Sequence, residues 1–411
     1  AKACRYNSKL LNFSVGPLPP TSSSTHSRAS SYKTDPSLDE LRRTSIATMA
    51  EYNIVVFAGD HCGPEVIAEA IKVIKTVEKL SPTAGKFNLQ DHLLRGCSID
   101  QTGTPLTDKA LAAAKAADAV LLGAIGGPEW GTGAVRPEQG LLKLRSEMCA
   151  YGNLRPCFFA SDALVESSPL KASVCRGIDM MLVRELTSGL YFGERKEYDG
   201  FNAFDTTVYT KPEIERIARL GGYLARTRGD SRVISLDKAK VLATSRLWRC
   251  VVEEVYKNEF PDLKVAHQLI DSAAMIMVKN PRQLNGVIIA PNLAGDILSD
   301  EASAIAGSIG LLPSASLCGI PGSAVPSICE PIHGSAPDIS GKGIVNPIGA
   351  ILSVAMMFRY SLNLAHEAKI VEDAVRAAID AGLRTKDMGG STGTVQAGDA
   401  IVAELVKILK A

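Results

Sequence analysis

Asn53 to Leu80 read NIVVFAGDHCGPEVIAEAIKVIKTVEKL. Ile54-Val55-Val56-Phe57 is a short β-branched and aromatic run that suits a buried strand, and Gly59-Asp60 marks a turn. From Pro64 to Leu80 the apolar residues recur at helical spacing, so the segment is predicted as strand, loop, helix. The same unit returns at Ala119-Val120-Leu121-Leu122 followed by Gly123 to Gly133, and at Gly286-Val287-Ile288-Ile289 followed by a Pro-Asn loop and a helix. Repeated βα units predict an α/β protein with a largely parallel sheet. Ile178 to Glu185 and Leu190-Tyr191-Phe192 are predicted as further strands. Ile348 to Lys410 is predicted as mostly helix, broken by the Gly-rich loop Met388 to Gly393.

With 411 residues, 46% of them hydrophobic, the chain is long enough for two cores, and two domains are expected. Its 45 basic and 44 acidic residues nearly cancel, which argues against a general nucleic-acid binder. No stretch approaches the ~18 uninterrupted apolar residues of a membrane-spanning helix. The nine cysteines form no CxxC pair and no zinc-finger spacing, and are read as reduced thiols. Residues 1–48 differ from the rest: Ser/Thr clusters, Pro19-Pro20, and five basic residues before the first acidic one, Asp35. That bias fits a mitochondrial transit peptide and a disordered tail equally, so cytoplasmic localisation is expected with mitochondria as the runner-up.

No GxGxxG follows a strand; Gly131-Thr132-Gly133 fails because Arg136 stands where the third glycine is needed, and a Rossmann site is not expected. Asp296 and Asp300 lie four apart, so on a helix both carboxylates share one face and can bind a hard divalent cation; Asp271 is a candidate third oxygen ligand. All-oxygen ligation selects Mg²⁺ or Mn²⁺ over zinc, against the alternative of a solvated helix face. Arg145, Arg155 and Arg184 can clamp a dicarboxylate by bidentate hydrogen bonds, or pair with local acids such as Glu147 and Glu185. Tyr191 and Lys238 are candidates for proton transfer, although Lys238 could simply partner Asp237. His333 sits in a Gly- and Pro-dense loop that suits a ligand's ribose and phosphates better than a core.

Read in order, the segments GDHCGPEV (Gly59 to Val66), LLGAIGGPEWGTGAVRPEQGLLKLR (Leu121 to Arg145), NLRP (Asn153 to Pro156), VREL (Val183 to Leu186), YFGERKE (Tyr191 to Glu197), SRLWR (Ser245 to Arg249), HQLIDSAAM (His267 to Met275), GDILSDEAS (Gly295 to Ser303), GLLPSASL (Gly310 to Leu317) and HGSAPDI (His333 to Ile339) resemble the β-decarboxylating dehydrogenases of the isocitrate/isopropylmalate family. The resemblance is greatest to the fungal type of isopropylmalate dehydrogenase and runs from about Tyr52 to the C-terminus. It implies an α/β fold of two domains around a central mixed sheet, distinct from Rossmann. One domain would comprise residues 49–150 plus 307–411 on the cofactor side, and the other residues 151–306 with the metal site and dimer interface.

The resemblance also implies roles. Arg145, Arg155 and Arg184 would hold the carboxylates of a 3-substituted malate. Asp296 and Asp300, with Asp271 from a second subunit, would bind Mg²⁺ or Mn²⁺ and the substrate. Lys238, also from the partner, would accept the hydroxyl proton as hydride leaves for NAD, and Tyr191 would return a proton after CO₂ loss. Part of each site would therefore come from the other copy of an obligate homodimer. Gly126, Gly127, Pro128, Glu129, His333, Gly334, Ser335, Ala336, Pro337, Asp338, Ile339 and Asn346 would hold the cofactor. Asp338 accepts hydrogen bonds from ribose hydroxyls and repels a 2′-phosphate, which favours NAD over NADP. Glu138, Leu141, Leu142 and Val241 would form the wall facing the 3-substituent, and that wall fits isopropyl better than a third carboxylate. The implied reaction converts 3-isopropylmalate to 4-methyl-2-oxopentanoate and CO₂ in leucine biosynthesis.

Some positions depart from the family. Lys240 stands where an Asn contacts nicotinamide, Ala294 replaces an aromatic, Ala306 a proline, Cys329 a tyrosine and Glu129 a lysine. Three readings follow: drift in a working leucine-pathway enzyme, a paralogue acting on a malate with a larger 3-substituent in another pathway, or a decayed low-activity copy. A metal-dependent binding protein without redox activity would not need Lys238 and Tyr191, and both are present.

Overall fold

The computed structural model describes residues 50–131, 135–323 and 325–411. The extension read in residues 1–48, and Thr132 to Ala134 of the failed glycine fingerprint, lie outside the described residues. In order the chain forms β1 (Glu51–Gly59), α1 (Gly63–Leu80), β2 (Lys86–Asp91), α2 (Gly96–Thr102), α3 (Asp108–Ala116), β3 (Ala119–Ala124), α4 (Pro137–Glu147), β4 (Gly152–Phe158), α5 (Ala172–Cys175) and β5 (Asp179–Glu185). A small antiparallel pair, β6 (Arg195–Lys196) with β7 (Phe204–Asp205), precedes α6 (Lys211–Arg228), β8 (Arg232–Asp237), α7 (Ala243–Glu259) and β9 (Lys264–Leu269). Then come α8 (Ile270–Lys279), β10 (Gly286–Ala290), α9 (Asn292–Ile305), β11 (Pro313–Leu317), β12 (Ser327–Pro331), α10 (Ile348–Tyr360), α11 (Ala365–Asp380) and α12 (Thr394–Lys410).

Local sequence accounts for these elements. In α1, Pro64 and Glu65 occupy the first turn and Lys79 the last, where each suits the helix ends. Its buried stripe is Val66, Ile67, Ala70, Val73, Ile74 and Val77. In α6, Thr210 and Glu213 form a capping box around Pro212. One expected strand is absent: Gly189–Tyr191 is a single 3-10 turn, not part of a strand over Leu190-Tyr191-Phe192. Gly189 lies at φ +77°, and a Cβ there would come within 2.4 Å of the Tyr209 hydroxyl. The backbone therefore turns back on itself, the Phe192 amide donating to the Gly189 carbonyl.

Ten strands make one sheet in the order β2-β1-β3-β12-β11-β4-β5-β10-β8-β9. Pairing is parallel within β2-β1-β3-β12 and within β5-β10-β8-β9. Three antiparallel steps through β11 and β4 join the blocks, so the two blocks run in opposite senses. The sheet is thus largely parallel but mixed, as the resemblance implied.

Strand alternation divides the apolar residues between two faces. On one face the core is continuous: Ile54, Leu121, Cys329, Ala315, Leu154, Val183 and Ile289 belong to one cluster that also takes in α1, α6 and α10. On the other face it is interrupted. One cluster gathers Phe57, Val120, Leu122, Leu144 and Ile328; a separate one gathers Met180, Leu182, Ile288, Ala290, Leu298 and Ala302. Polar side chains fill the gap.

Candidate active site

The gap falls where β12, β11, β4 and β5 lie side by side. Register places Ser314 opposite Glu330, Ser316 opposite Asn153, and Asn153 opposite Arg184. Because alternate residues share a face, Glu330, Ser314, Ser316, Asn153, Arg155 and Arg184 project together, while Cys329, Ala315, Leu154 and Val183 point into the continuous core behind them. Asn153 is fully buried. Its Nδ2 donates to Ser314 Oγ at 3.0 Å and to Ser316 Oγ at 3.1 Å, and its Oδ1 accepts from Arg155 Nε at 2.8 Å.

Two helices close over this strip. From α4, buried Arg145 donates through Nη2 to Glu330 Oε1 at 2.6 Å. From α9, Asn292 Oδ1 accepts from Arg184 Nε at 3.0 Å and Nη2 at 2.8 Å, and Asp296 Oδ1 accepts from Arg184 Nη1. Arg155 Nη1 donates to Ser299 Oγ at 2.8 Å and Asp300 Oδ1 at 3.1 Å, and lies 3.6 Å from Asp296 Oδ1. The Tyr191 hydroxyl donates to Asp296 Oδ2 at 2.9 Å, with the Arg184 guanidinium 5.7 Å from its ring centre. The approach of α9 to β5 depends on Gly295, since a Cβ there would lie 2.8 Å from the Arg184 side chain.

The local pairings offered as alternatives are not the ones formed. Arg145 and Arg184 meet Glu330 and Asp296, not the local Glu147 and Glu185, and Lys238 meets Asp271 rather than Asp237. Burial makes the crowded cations costly. It lowers the pKa of Arg155, and burial followed by the charge of Arg155 brings Arg184 down to about 10. Burial and then the Asp296 carboxylate push the Tyr191 phenol up, so it is a proton donor at neutral pH.

Asp296 and Asp300 offer hard carboxylate oxygens one helical turn apart, and the Asp300 side chain is 60% exposed. That donor set fits a divalent cation on one side, although no group of three or more His, Cys, Asp or Glu side chains is assembled for a metal among the described residues. Asp271 lies elsewhere, its Oδ2 2.9 Å from Lys238 Nζ, at the start of α8. Within one chain, Lys238 and Asp271 contact each other while Tyr191 contacts Asp296. Val241, in the turn after Lys238, is 67% exposed. Leu141 and Leu142 are half-buried on α4 and Glu138 is exposed.

One of the two loops expected to hold a cofactor borders a cavity of about 500 Å³ lined by His333, Gly334, Ala336, Ile339, Val345, Asn346 and Asp387, among others. His333 Nδ1 lies 2.8 Å from the Gly334 carbonyl, and its Nε2 is buried without a partner among the described residues. Asn346 Nδ2 donates to Asp387 Oδ2 at 2.9 Å. An orphaned ring nitrogen in a mostly apolar cavity with an amide and a carboxylate on its wall fits an adenosine group. The second loop cluster is organised by Asp60, which sequence reading passed over as a turn residue. Its buried carboxylate accepts from the amides of Cys97 (2.9 Å), Gly126 (2.8 Å) and Gly96 (3.3 Å). Glu129 pairs with His61 at 2.9 Å.

The departures from the family pattern separate by location. Cys329 is buried in the continuous core behind the sheet, with its thiol pushed up to about 12 by burial. Lys240 is exposed. Ala294 borders a cavity of about 100 Å³ beside Ile270, Leu293 and Trp248. Ala294→Phe is expected to fill it and raise the thermal midpoint by roughly 1–3 °C, about 1 kcal/mol. A lower midpoint in a calorimetric scan would show the cavity too small and the site overpacked.

A family model described as isocitrate/isopropylmalate dehydrogenase matches residues 53–401. A 3-isopropylmalate dehydrogenase of Sordaria macrospora is 69% identical over 368 residues, covering 88% of this chain and all of that protein. One of Neurospora crassa is 68% identical over 368 residues with the same coverage. Among solved structures, an isocitrate dehydrogenase from Methylococcus capsulatus superposes with a TM-score of 0.75 at 30% identity, covering 86% of this chain and 99% of that one.

Proposed function

This chain belongs to the isocitrate/isopropylmalate dehydrogenase family, and from that membership we infer that it catalyses the NAD-dependent oxidative decarboxylation of 3-isopropylmalate to 4-methyl-2-oxopentanoate and CO₂, a step of leucine biosynthesis. The observation that carries this reading is the convergence of Arg145, Arg155 and Arg184 with Asp296, Asp300 and Tyr191 on one polar strip between two apolar clusters.

Arg145, Arg155 and Arg184 bind the two carboxylates and fix the orientation of the reacting carbons. Leu141 and Leu142, one turn before Arg145, give the 3-substituent an apolar wall, where a third carboxylate would be desolvated without a partner. Asp296 and Asp300 hold Mg²⁺ or Mn²⁺, with Asp271 from a second copy. When bound, the cation supplies a Lewis acid at the substrate's oxygens and NAD supplies the hydride acceptor. Lys238 of the second copy takes the hydroxyl proton. Tyr191, kept protonated by burial and by Asp296, delivers a proton to the carbon that loses CO₂.

The homodimer is supported by apolar side chains on the two helices next to these groups: Met275 and Val278 on α8, Leu293 and Ile297 on α9, all exposed in the single chain. The division into residues 49–150 plus 307–411 and residues 151–306 is supported by the two clusters flanking the polar strip, whose members fall one set in each part. NAD over NADP rests on exposed Asp338 beside the adenosine-sized cavity. No helix among the described residues is long and apolar enough to cross a membrane.

The test follows NADH formation by absorbance with Mg²⁺, NAD and, in turn, 3-isopropylmalate, 3-benzylmalate and isocitrate. Turnover of isopropylmalate well above the other two is expected. A preference for benzylmalate would assign the chain to a recruited paralogue, and silence on all three would identify a decayed copy.

A further inference from the structure

Asn153 has no role in the reading above, yet the polar strip is built around it. It is fully buried on β4, with Ser316 of β11 opposite on one side and Arg184 of β5 opposite on the other. Both of its amide hydrogens are used, on Ser314 Oγ at 3.0 Å and on Ser316 Oγ at 3.1 Å, and this fixes which end of the amide faces the site. The carbonyl end accepts from Arg155 Nε at 2.8 Å. Arg155 Nη1 is held by Ser299 and Asp300, so the fork is pinned at two nitrogens, while Nη2 has no hydrogen bond among the described residues.

Shape does not explain why this clamp is uncharged. An aspartate has the same outline and accepts from Arg155 Nε, and the Ser314 and Ser316 hydroxyls can turn to donate to its second oxygen. What differs is charge. Arg145, Arg155 and Arg184 share the strip with the carboxylates of Glu330, Asp296 and Asp300. Three cations meet three anions, so the strip is neutral by itself; with a divalent cation on Asp296 and Asp300 it carries two positive charges, the match of a dicarboxylate. Two further pairs cancel: Lys238 with Asp271, and Arg95, buried with its backbone at φ +78°, with buried Asp60, which accepts from the neighbouring Gly96 amide. We propose that Asn153 is a positioning residue that fixes Arg155 through a neutral acceptor, so that the guanidinium keeps its full attraction for a substrate carboxylate. A carboxylate at position 153 would hold Arg155 equally well but unbalance the strip by one charge, in a place that salt screens little.

The proposal rests on the functional reading through Arg155, and the test separates the two. Full-length wild type, Asn153→Asp, Asn153→Ala, Glu330→Gln and the Asn153→Asp/Glu330→Gln double variant are compared by thermal midpoint, by steady-state kinetics, and by calorimetric binding of 3-isopropylmalate and of 3-benzylmalate with Mg²⁺. Asn153→Asp is expected to keep the midpoint within about 2 °C of wild type or to raise it, because each hydrogen bond has a replacement and Arg155 gains a counter-charge. The same variant should weaken dicarboxylate binding at least about fivefold, with the loss in turnover falling on KM rather than kcat. Asn153→Ala should lose midpoint and affinity together, since Arg155 loses its tether and two buried hydroxyls lose their donor. In the Glu330→Gln background, where the strip has one carboxylate fewer, the affinity penalty of Asn153→Asp should shrink at least about threefold. A smaller penalty for Asn153→Asp in the wild-type background would show that the charge of the acceptor is immaterial, and overturns the proposal. A larger drop in its midpoint would make Asn153 merely structural, and a penalty that shrinks less in the Glu330→Gln background would detach the loss from charge; either result also overturns it. Wild type that binds benzylmalate alone, or that binds without turnover, defeats the functional reading while the binding ratios still decide the role of Asn153; wild type that binds neither malate defeats both.

Discussion

Asp296→Asn is expected to lower kcat by at least ~10²–10³-fold while leaving the fold intact. The reason lies in what the two carboxylate oxygens meet. Oδ1 accepts from Arg184 Nη1 and lies 3.6 Å from Arg155, while Oδ2 accepts from the Tyr191 hydroxyl at 2.9 Å. An amide has one acceptor oxygen and one donor nitrogen, so either Arg184 or Tyr191 then faces an N–H group. Tyr191 loses the partner that orients its phenol, or Arg184 loses the one that fixes its fork. The helix has also lost one of its two hard donors, so the Mg²⁺ concentration giving half-maximal rate should rise together with the fall in kcat. The fold should survive because the Asp296 side chain is 30% exposed and Asn292 still binds Arg184 through two nitrogens. Circular dichroism and the thermal midpoint should stay close to wild type. Turnover within tenfold of wild type would remove Asp296 from the site.

The local parts of this architecture were legible in the sequence because they depend on short spacings. The strand Ile54 to Phe57, the stripe of α1, and the pairing of Asp296 with Asp300 on one helix face all follow from periods of two or of three to four residues. Tyr191 misled because an apolar triplet resembles a strand, whereas Gly189 at positive φ turns the chain and a single 3-10 turn places the phenol at Asp296. The partners of the arginines were illegible for a different reason. Arg145 and Glu330 are 185 residues apart, and Arg155 and Asp300 are 145 apart; only the sheet order and register bring them together. Arg95 left one readable trace, a basic residue in the apolar and glycine context of Leu93-Leu94-Arg95-Gly96, but its burial and backbone strain exist only in three dimensions.

Glu330→Gln carries the largest expected effect on stability, and its pH dependence identifies the cause. Glu330 is buried, which disfavours its charge, yet Arg145 and then Arg95 outweigh burial and hold the carboxyl below the usual carboxylate range. The amide keeps the shape and can still accept from Arg145, but it removes the negative charge that faces the buried Arg145 guanidinium. Removing one member of such a group costs ~3 kcal/mol, roughly a 5 °C drop in thermal midpoint at neutral pH. Because the carboxyl binds its proton less readily in the folded chain than in the unfolded one, its stabilising contribution is complete above the unfolded value near ~4.3 and disappears as pH falls through the folded value. Wild type should therefore lose its advantage over Glu330→Gln as the buffer is taken below about pH 4, and the two midpoints should converge. A constant gap across that range would place the cost in packing or in hydrogen-bond geometry, since neither responds to protonation of Glu330. A gap that widened in acid would mean that burial prevails over the arginines and that Glu330 is held partly protonated.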